Sequence, residues 1–240
     1  MQRKLTKPLQ FIFLWHLLLS LALPLRAADW QFKTDGRVIA MSDIHGAHNE
    51  FVGLLQGVGL IDEQAHWVGG DDQLVIVGDI LDRGADSRAA LELTMRLEAE
   101  AEQAGGRVHM LLGNHEIMNL VGDLRYVADA EYAAYQDVED PADRAAALKS
   151  YIRLRAGGEA DEATITEQFN KKHPPGFFGH QKLFSAKGQF GAWLLQRPVS
   201  VMVNDSVFVH GGLSPAVADQ SLDQINRNHQ QVIGDFLASR

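Results

Sequence analysis

Cysteine is absent from this chain of 240 residues, so the protein is not built on a disulfide framework. Positive charge is also scarce, since 22 Lys and Arg residues stand against 31 Asp and Glu and the formal net charge is -9. This balance argues against a broad electrostatic surface for nucleic acid, so a phosphate-bearing ligand would need local cations or a metal. A hydrophobic fraction of 46% excludes a disordered chain and predicts one globular domain with a sizeable core.

A long hydrophobic run occurs only at the N-terminus. Positive residues between Arg3 and Lys7 precede an apolar run over residues 11–25. This pattern is typical of an export signal, so we expect residues 1–27 to be a signal peptide and residues 28–240 to be the folded domain. An uncleaved anchor is the alternative, although the run is short for a bilayer span. Export predicts a periplasmic or secreted protein with no stable membrane insertion after cleavage.

Beyond that run, short apolar segments alternate with longer helical patterns. Segments of strand length cover residues 38–41, 74–77 and 108–112. Apolar residues at helical spacing cover 47–59 and 85–104. This rhythm predicts an α/β domain with buried strands.

Two further segments interrupt the rhythm. Residues 128–170 are rich in Ala, Asp, Glu and Arg and predict two or three helices, which we interpret as a helical cap or insertion. Residues 199–203 and 206–209 are apolar and flank Asn204-Asp205, a pattern that predicts a β-hairpin.

Polar clusters with glycines follow three of the strands and the hairpin. They are Asp43-Ile44-His45-Gly46, residues 78–84, Gly113-Asn114-His115-Glu116 and His210-Gly211-Gly212. Because the carboxyl ends of strands in an open α/β sheet share one edge, we expect all four clusters to converge there. Carboxylates, imidazoles and an amide carbonyl together suit Mn, Fe or Zn better than Ca or Mg alone.

Three of the clusters also have a simpler interpretation when they are taken alone. The Asp43 cluster is typical of a turn, Glu116 is placed to cap the next helix, and Asp82-Arg83 is typical of a surface ion pair. Four such clusters in order, each at the end of an apolar strand, favour one shared site.

The four clusters resemble the signatures of the calcineurin-like metallophosphoesterases, in the branch that contains the phosphoprotein phosphatases. Those signatures are Gly-Asp-x-His-Gly, Gly-Asp-x-x-Asp-Arg-Gly, Gly-Asn-His-Glu and His-Gly-Gly. In this sequence Ser42 stands in place of the first glycine of Gly-Asp-x-His-Gly. Residues 111–127 and 193–199 are similar to the Shewanella-like protein phosphatase group. The resemblance implies a metallophosphoesterase sandwich, with central β-sheets flanked by helices.

The resemblance also implies two divalent metal ions, of Mn, Fe or Zn. Asp43, His45 and Asp79 match the ligands of the first ion. Asp79, Asn114 and His210 match those of the second, so Asp79 would bridge the pair. Water between two such ions becomes a hydroxide near neutral pH and attacks phosphorus in line.

The same resemblance assigns roles to the remaining polar residues. His115 matches the histidine that protonates the leaving group, and Asp82 matches the carboxylate that pairs with it. Arg83 matches a guanidinium that grips phosphate oxygens. Arg125 is a weaker phosphate-binding candidate, and an ion pair with Asp123 is an equal alternative.

One ligand of the family pattern has no match in this sequence. The family takes another histidine for the second metal from well beyond His-Gly-Gly, whereas this sequence ends at Arg240, so we expect a C-terminally truncated fold. His229 is the remaining candidate, but it lies in an amphipathic helical pattern and we do not expect a ligand there. We expect a loop or packing role for His180.

These observations leave three functional interpretations. The leading one is a metal-dependent hydrolase of phosphomonoesters, acting on phosphorylated protein (Ser/Thr-type, or Tyr) or on a small phosphoester. A small-molecule hydrolase resembling the diadenosine tetraphosphatases is the second. The third is a non-catalytic metal- or phosphate-binding remnant. The complete set of Asp82, Arg83 and His115 favours an enzyme.

Overall fold

The computed structural model describes residues 30–156, 158 and 160–239. The signal peptide predicted for residues 1–27 lies outside this part of the chain. Among the helices of the described residues, none combines the length and the apolar character needed to cross a bilayer.

The described residues form six strands and eight α-helices, with short 3-10 helices at Glu131–Tyr135 and Pro215–Val217. In chain order the elements are β1 (Gln31–Phe32), β2 (Val38–Met41), α1 (His48–Gly57), β3 (Gln73–Ile76), α2 (Ser87–Ala104), β4 (Arg107–Met110), α3 (Asn114–Val121), α4 (Pro141–Arg155), α5 (Glu162–Lys172), α6 (Phe177–Phe184), α7 (Gln189–Leu194), β5 (Ser200–Val203), β6 (Ser206–Val209) and α8 (Leu222–Ala238).

The first sheet is parallel and has the order β2-β3-β4. Ala40 pairs with Val75, and Val75 pairs with His109, so the three strands run in register. Parallel strands place their carboxyl ends at one edge, and the first three polar clusters leave the sheet there. The predicted α/β organisation is confirmed in this sheet.

The second sheet has the order β1-β5-β6 and is mixed. β1 runs parallel to β5, while β5 and β6 form the predicted antiparallel hairpin. Asn204 occupies the left-handed region at the turn, with φ 54°, which an asparagine tolerates better than most residues. The short strand β1 was not predicted.

The two sheets face each other across a small apolar layer, and the helices cover the opposite face of the first sheet. Alternation along β3 explains this, because Val75 points toward the second sheet while Leu74 and Ile76 point toward the helices. The layer between the sheets is formed by Val75, Leu111, Val201 and Val203. The larger core includes Phe51, Leu55, Leu91, Leu97, Met110 and Phe190. This arrangement is the predicted sandwich of sheets with flanking helices.

The helices of residues 128–170 differ in how deeply they pack. α4 buries no residue completely, whereas α5 buries Ile165 and Phe169. α6 and α7 were not predicted as helices. On α6, the buried His180 packs against the rings of Tyr135 and Phe184 at 4.8 and 4.4 Å, which is the packing role expected of it.

Candidate metal centre

Several residues of the site adopt a backbone conformation that side-chain-bearing residues rarely adopt. Asp43, His45, Asp79, Asp82 and Arg83 all have φ between 48° and 71°. This left-handed region costs about 1–3 kcal/mol for a residue other than glycine, and such strain persists where the surrounding structure holds it. The strand ends therefore turn sharply and project these side chains toward one another.

Asp79 is the centre of the cluster. Its buried carboxylate oxygen Oδ2 lies 3.8 Å from His45 Nε2, 3.3 Å from His210 Nε2 and 3.9 Å from His115 Nε2. Its other oxygen, Oδ1, accepts the backbone N–H of His115 at 3.1 Å. One carboxylate thus faces three imidazole nitrogens.

Two of these three imidazoles are oriented by backbone carbonyls through their other nitrogen. His45 Nδ1 donates to the Leu81 carbonyl at 2.9 Å, and His210 Nδ1 donates to the Val77 carbonyl at 2.6 Å. A carbonyl only accepts, so the proton is on Nδ1 and the Nε2 lone pair is directed at the site. Such outer contacts set the tautomer and angle of a metal-binding histidine.

The sequence predicted that all four polar clusters lie at the edge of one sheet, but the structure takes them from two sheets. Three follow strands of the first sheet, but His210 follows β6 of the second sheet. The antiparallel hairpin delivers the end of β6 to the same region, so the clusters still converge. His210 Nε2 lies 3.2 Å from Asn114 Oδ1.

Asp43 completes the side of the cluster that contains His45, with 3.6 Å between its Oδ1 and His45 Nε2. Ser42, the departure from the family pattern, donates its hydroxyl to Asp43 Oδ2 at 2.5 Å. That hydrogen bond lowers the pKa of the Asp43 carboxyl, against partial desolvation, which raises it. The substitution therefore favours the charged form of a candidate ligand.

His115 and Asp82 form a buried pair. His115 Nδ1 lies 2.6 Å from Asp82 Oδ2, and Asn119 donates to Asp82 Oδ1 at 2.9 Å. The carboxylate accepts from both neighbours, so His115 carries a proton on Nδ1 and turns Nε2 toward Asp79. This is the pairing that the family resemblance implies.

Glu116 has a larger role than the helix cap considered from the sequence. Its buried carboxylate accepts the backbone N–H of Gly113, as a cap does, and also those of Asp79, Ile80 and Leu81. Burial raises its pKa, and the backbone hydrogen bonds oppose that shift. Glu116 thus joins two of the strand-end loops, which its position at the start of α3 alone did not reveal.

The two arginine candidates differ in position. Arg83 is exposed at the mouth of the site, with Nη2 3.5 Å from His115 Nε2. Arg125 makes a two-pronged ion pair with Asp123, the alternative considered from the sequence. The next residue, Tyr126, was not predicted as part of the site, yet its half-exposed ring lies 5.3 Å from the His115 ring.

His229 borders the site without joining the ligand clusters. It lies on α8 and, with Asn114 and His210, lines a cavity of about 250 Å³. Its Nε2 is buried and has no hydrogen-bond partner among the described residues, and burial lowers its pKa. Within the described part of the chain, two groups of side chains have ligand atoms within 4.8 Å of one another, His45-Asp79-His115 and Asp43-Asp79-His210, and His229 belongs to neither.

The residues present fit a divalent metal centre. His45 Nε2 is buried and has no hydrogen-bond partner among the described residues, which is costly unless a ligand takes its lone pair. The carboxylate, imidazole and amide oxygen donors around Asp79 are those that Mn, Fe and Zn accept.

Comparison with known proteins relates this chain to phosphoesterases. The family model for calcineurin-like phosphoesterases matches residues 36–235. Shewanella-like protein phosphatase 2 of Arabidopsis thaliana is 31% identical over 214 residues, covering 88% of this chain and 55% of that protein. Shewanella-like protein phosphatase 1 of Plasmodium berghei is 26% identical over 194 residues, covering 81% and 44%.

A solved structure agrees as well. The cold-active protein-tyrosine phosphatase of a psychrophilic Shewanella species superposes with a TM-score of 0.61 at 28% identity, covering 85% of this chain and 51% of that one. The chain therefore spans about half the length of the relatives that it matches. Because the family model covers most of the sequence and the four motifs converge in the fold, this chain belongs to the calcineurin-like phosphoesterase family.

Proposed function

We propose that this chain carries the catalytic centre of a metal-dependent phosphatase that hydrolyses phosphomonoesters on protein side chains. One observation carries the proposal. The nitrogens of His45, His210 and His115 face the Asp79 carboxylate beside the buried Asp82–His115 pair.

Two divalent ions, of Mn, Fe or Zn, are proposed as the cofactor. Asp43, His45 and Asp79 would hold one ion, and Asp79, Asn114 and His210 would hold the other. Ions bound there would supply an activated water nucleophile and positive charge for the phosphoryl oxygens. Metal binding is the alternative role for His115. Its Nε2 lies 3.9 Å from Asp79 Oδ2, and His115 has a ligand atom within 4.8 Å of one on His45.

His115 is better suited to proton transfer than to metal binding. Its Nε2 lies 3.5 Å from Nη2 of Arg83, the exposed guanidinium that would bind the phosphate group, and its Nδ1 is paired with the Asp82 carboxylate. Asp82 would stabilise the protonated, imidazolium form of His115. Nε2 of that form would then donate its proton to the ester oxygen as the bond from this oxygen to phosphorus breaks. A positioned general acid contributes about 10²–10⁴-fold to rate.

Arg83 would bind the phosphate group of the substrate. Its guanidinium is always charged and presents a planar fork that matches phosphate oxygens. Arg125 remains a secondary candidate, because binding phosphate would require it to leave Asp123 or to share its donors.

For the substrate we propose phosphotyrosine side chains first. The half-exposed ring of Tyr126 next to His115 offers an apolar face to an aromatic leaving group. The Shewanella relative that superposes on this chain is itself named a protein-tyrosine phosphatase. Phosphoserine and phosphothreonine would lack the contact with the Tyr126 ring.

We also propose that the protein acts in the periplasm or outside the cell, because residues 1–27 have the pattern of an export signal. N-terminal sequencing of the protein from a periplasmic or culture fraction should find a start near residue 28. A chain that keeps Met1 and stays in the membrane fraction would contradict cleavage and support the uncleaved anchor, whereas a chain that keeps Met1 in the cytoplasmic fraction would contradict export.

The function is tested with the purified protein and three phosphopeptides of one sequence that carry phosphotyrosine, phosphoserine or phosphothreonine. We expect turnover with added Mn, loss of turnover with a chelator, and the highest kcat/KM for phosphotyrosine. His115→Ala should lose turnover, whereas His180→Phe, at a buried histidine outside the site, should keep it. Bound metal without turnover on any phosphoester would instead support a non-catalytic remnant.

A further inference from the structure

Glu131 is a buried acid that the proposed mechanism does not use. It begins the 3-10 helix Glu131–Tyr135 and is 1% exposed, although it lies in the segment interpreted from the sequence as a cap. A buried carboxylate is costly unless hydrogen bonds satisfy its oxygens. The hydrogen-bond partners of Glu131 therefore indicate its structural role.

Those partners are at the start of α2. Glu131 Oε2 accepts the backbone N–H of Ser87 at 2.8 Å, and Oε1 accepts that of Arg88 at 3.0 Å. Asp86, the residue at the N-cap position of α2, makes no side-chain capping bond. Glu131 thus replaces the local cap, and its negative charge also suits the positive end of the helix dipole.

The start of α2 in turn touches the proton-donor pair. The Ser87 hydroxyl accepts the backbone N–H of Asp82 at 3.1 Å. Asp82 is in the left-handed region, with φ 71°, so its carboxylate reaches His115 only while the strained loop is held. A continuous hydrogen-bonded path therefore runs from Glu131 through Ser87 and Asp82 to His115.

Glu131 is itself held from its own segment. Tyr135 donates its hydroxyl to Glu131 Oε1 at 2.8 Å. Arg88 binds the Ala134 carbonyl and Asp137, which ties α2 to the same segment. Networks of this kind lose more than one bond when a central member is removed.

We propose that Glu131 is a positioning residue, which acts through Ser87 to hold Asp82 where it orients the proton donor His115. This inference rests on the proposed phosphatase function for its kinetic consequence, but the hydrogen-bonded path itself does not depend on activity. Residues 128–170 would then supply part of the support of the site.

The kinetic test compares two aryl phosphates. Phenyl phosphate has a poor leaving group that needs a proton, whereas 4-nitrophenyl phosphate has a good one that needs it little. Because general acids contribute about 10²–10⁴-fold, Glu131→Ala should lower kcat about 10-fold for phenyl phosphate and less than about 2-fold for 4-nitrophenyl phosphate. Glu131→Gln keeps one acceptor oxygen and should fall between. Ser87→Ala, a smaller change, should act in the same direction.

The matched control is Glu139→Ala. Glu139 lies in the same segment, pairs with Arg144 and accepts the backbone N–H of Phe178, but none of these contacts leads to Asp82. We expect Glu139→Ala to leave the ratio of the two rates unchanged. An equal loss on both substrates in Glu131→Ala and Ser87→Ala would mean that the role is structural only, and would overturn the proposal.

A second readout does not require turnover. The His115 Nδ1 proton, held by Asp82 at 2.6 Å, should give a downfield proton NMR signal that is missing in His115→Ala. We expect Glu131→Ala and Ser87→Ala to shift or broaden this signal and Glu139→Ala to leave it unchanged. If the unaltered protein shows no turnover, the proposed function fails, and this signal alone decides the positioning role. An unchanged signal in both variants would refute it.

Discussion

Replacing Asp79 by asparagine removes the charge that both candidate ligand groups share. Asparagine has nearly the same shape, and its side-chain oxygen still accepts the His115 backbone N–H, which Asp79 accepts at 3.1 Å. The fold should therefore persist. Because Asp79 belongs to both groups of side chains within 4.8 Å, one substitution should weaken both metal sites.

The magnitude follows from the linkage between binding and stability. An ion at 100 times its dissociation constant stabilises the native state by about 2.7 kcal/mol. For a chain of this size, 1 kcal/mol corresponds to about 2–4 °C in Tm, so each ion should raise Tm by about 5–11 °C. Asp79→Asn should reduce the rise with Mn to less than about 2 °C.

The assay is thermal unfolding with and without Mn, together with metal content per chain by mass spectrometry. The unaltered protein should bind two ions and Asp79→Asn almost none. His210→Ala should keep the ion of the His45 side, and His115→Ala should keep both ions while losing turnover. Equal loss of metal in Asp79→Asn and His115→Ala would refute the assignment of His115 as proton donor and make it a ligand.

Other predictions concern stability and packing. Burial lowers the pKa of His180 to about 3, so protonation opposes folding and the free energy of unfolding should fall by up to about 1.4 kcal/mol per pH unit as pH drops from 6.5 toward 3. His180→Phe should reduce this slope in urea titrations. Asn226 is fully buried and accepts two backbone N–H groups at the start of β5, so Asn226→Ala should cost about 3 kcal/mol, while the exposed Asn228→Ala should change stability by less than about 0.5 kcal/mol. A Cβ on Gly113 would lie 2.2 Å from the carboxylate of Asp79, so Gly113→Ala should lose Mn, whereas Gly211→Ala, with open space around it, should not.

Each of these three predictions has an outcome that would contradict it. A pH dependence unchanged by His180→Phe would mean that another group drives acid unfolding. Similar costs for Asn226→Ala and Asn228→Ala would contradict the role of the buried amide. Full metal binding by Gly113→Ala would show that the loop relaxes around the added methyl group.

Much of the fold and of the site could be predicted from the sequence, for a definite reason. Parallel strands appear in a sequence as short apolar runs, and their carboxyl ends share one edge of the sheet. The residues that follow the runs at 38–41, 74–77 and 108–112 are therefore expected to be neighbours, as the strand pairing shows. The expected burial holds along the whole of β3, whereas the edge strand β2 has no buried residue. The hairpin could be predicted because its turn residues and its two strands are adjacent in the sequence. The pairing of Asp82 with His115 followed from the family resemblance.

Other features depended on contacts that no local pattern records. β1 has two residues and forms only by pairing with β5, and α6 and α7 are short, with no strong start or stop signal. Glu131 lies 44 residues from Ser87 in the chain, so its partnership appears only when the segment folds back on α2.

By itself the sequence determined which side chains of the first three clusters reach the edge of the first sheet, because strand period and glycine-rich turns are properties of neighbouring residues. Only the tertiary structure decided how those side chains are aimed. His45 and His210 are oriented by the carbonyls of Leu81 and Val77, and Glu116 joins two loops through backbone N–H groups. Every residue has a backbone carbonyl, so the sequence does not mark which one a histidine will meet. The choice of the Leu81 carbonyl follows from how neighbouring loops of the first sheet pack together, and that of the Val77 carbonyl follows from how the second sheet packs against the first.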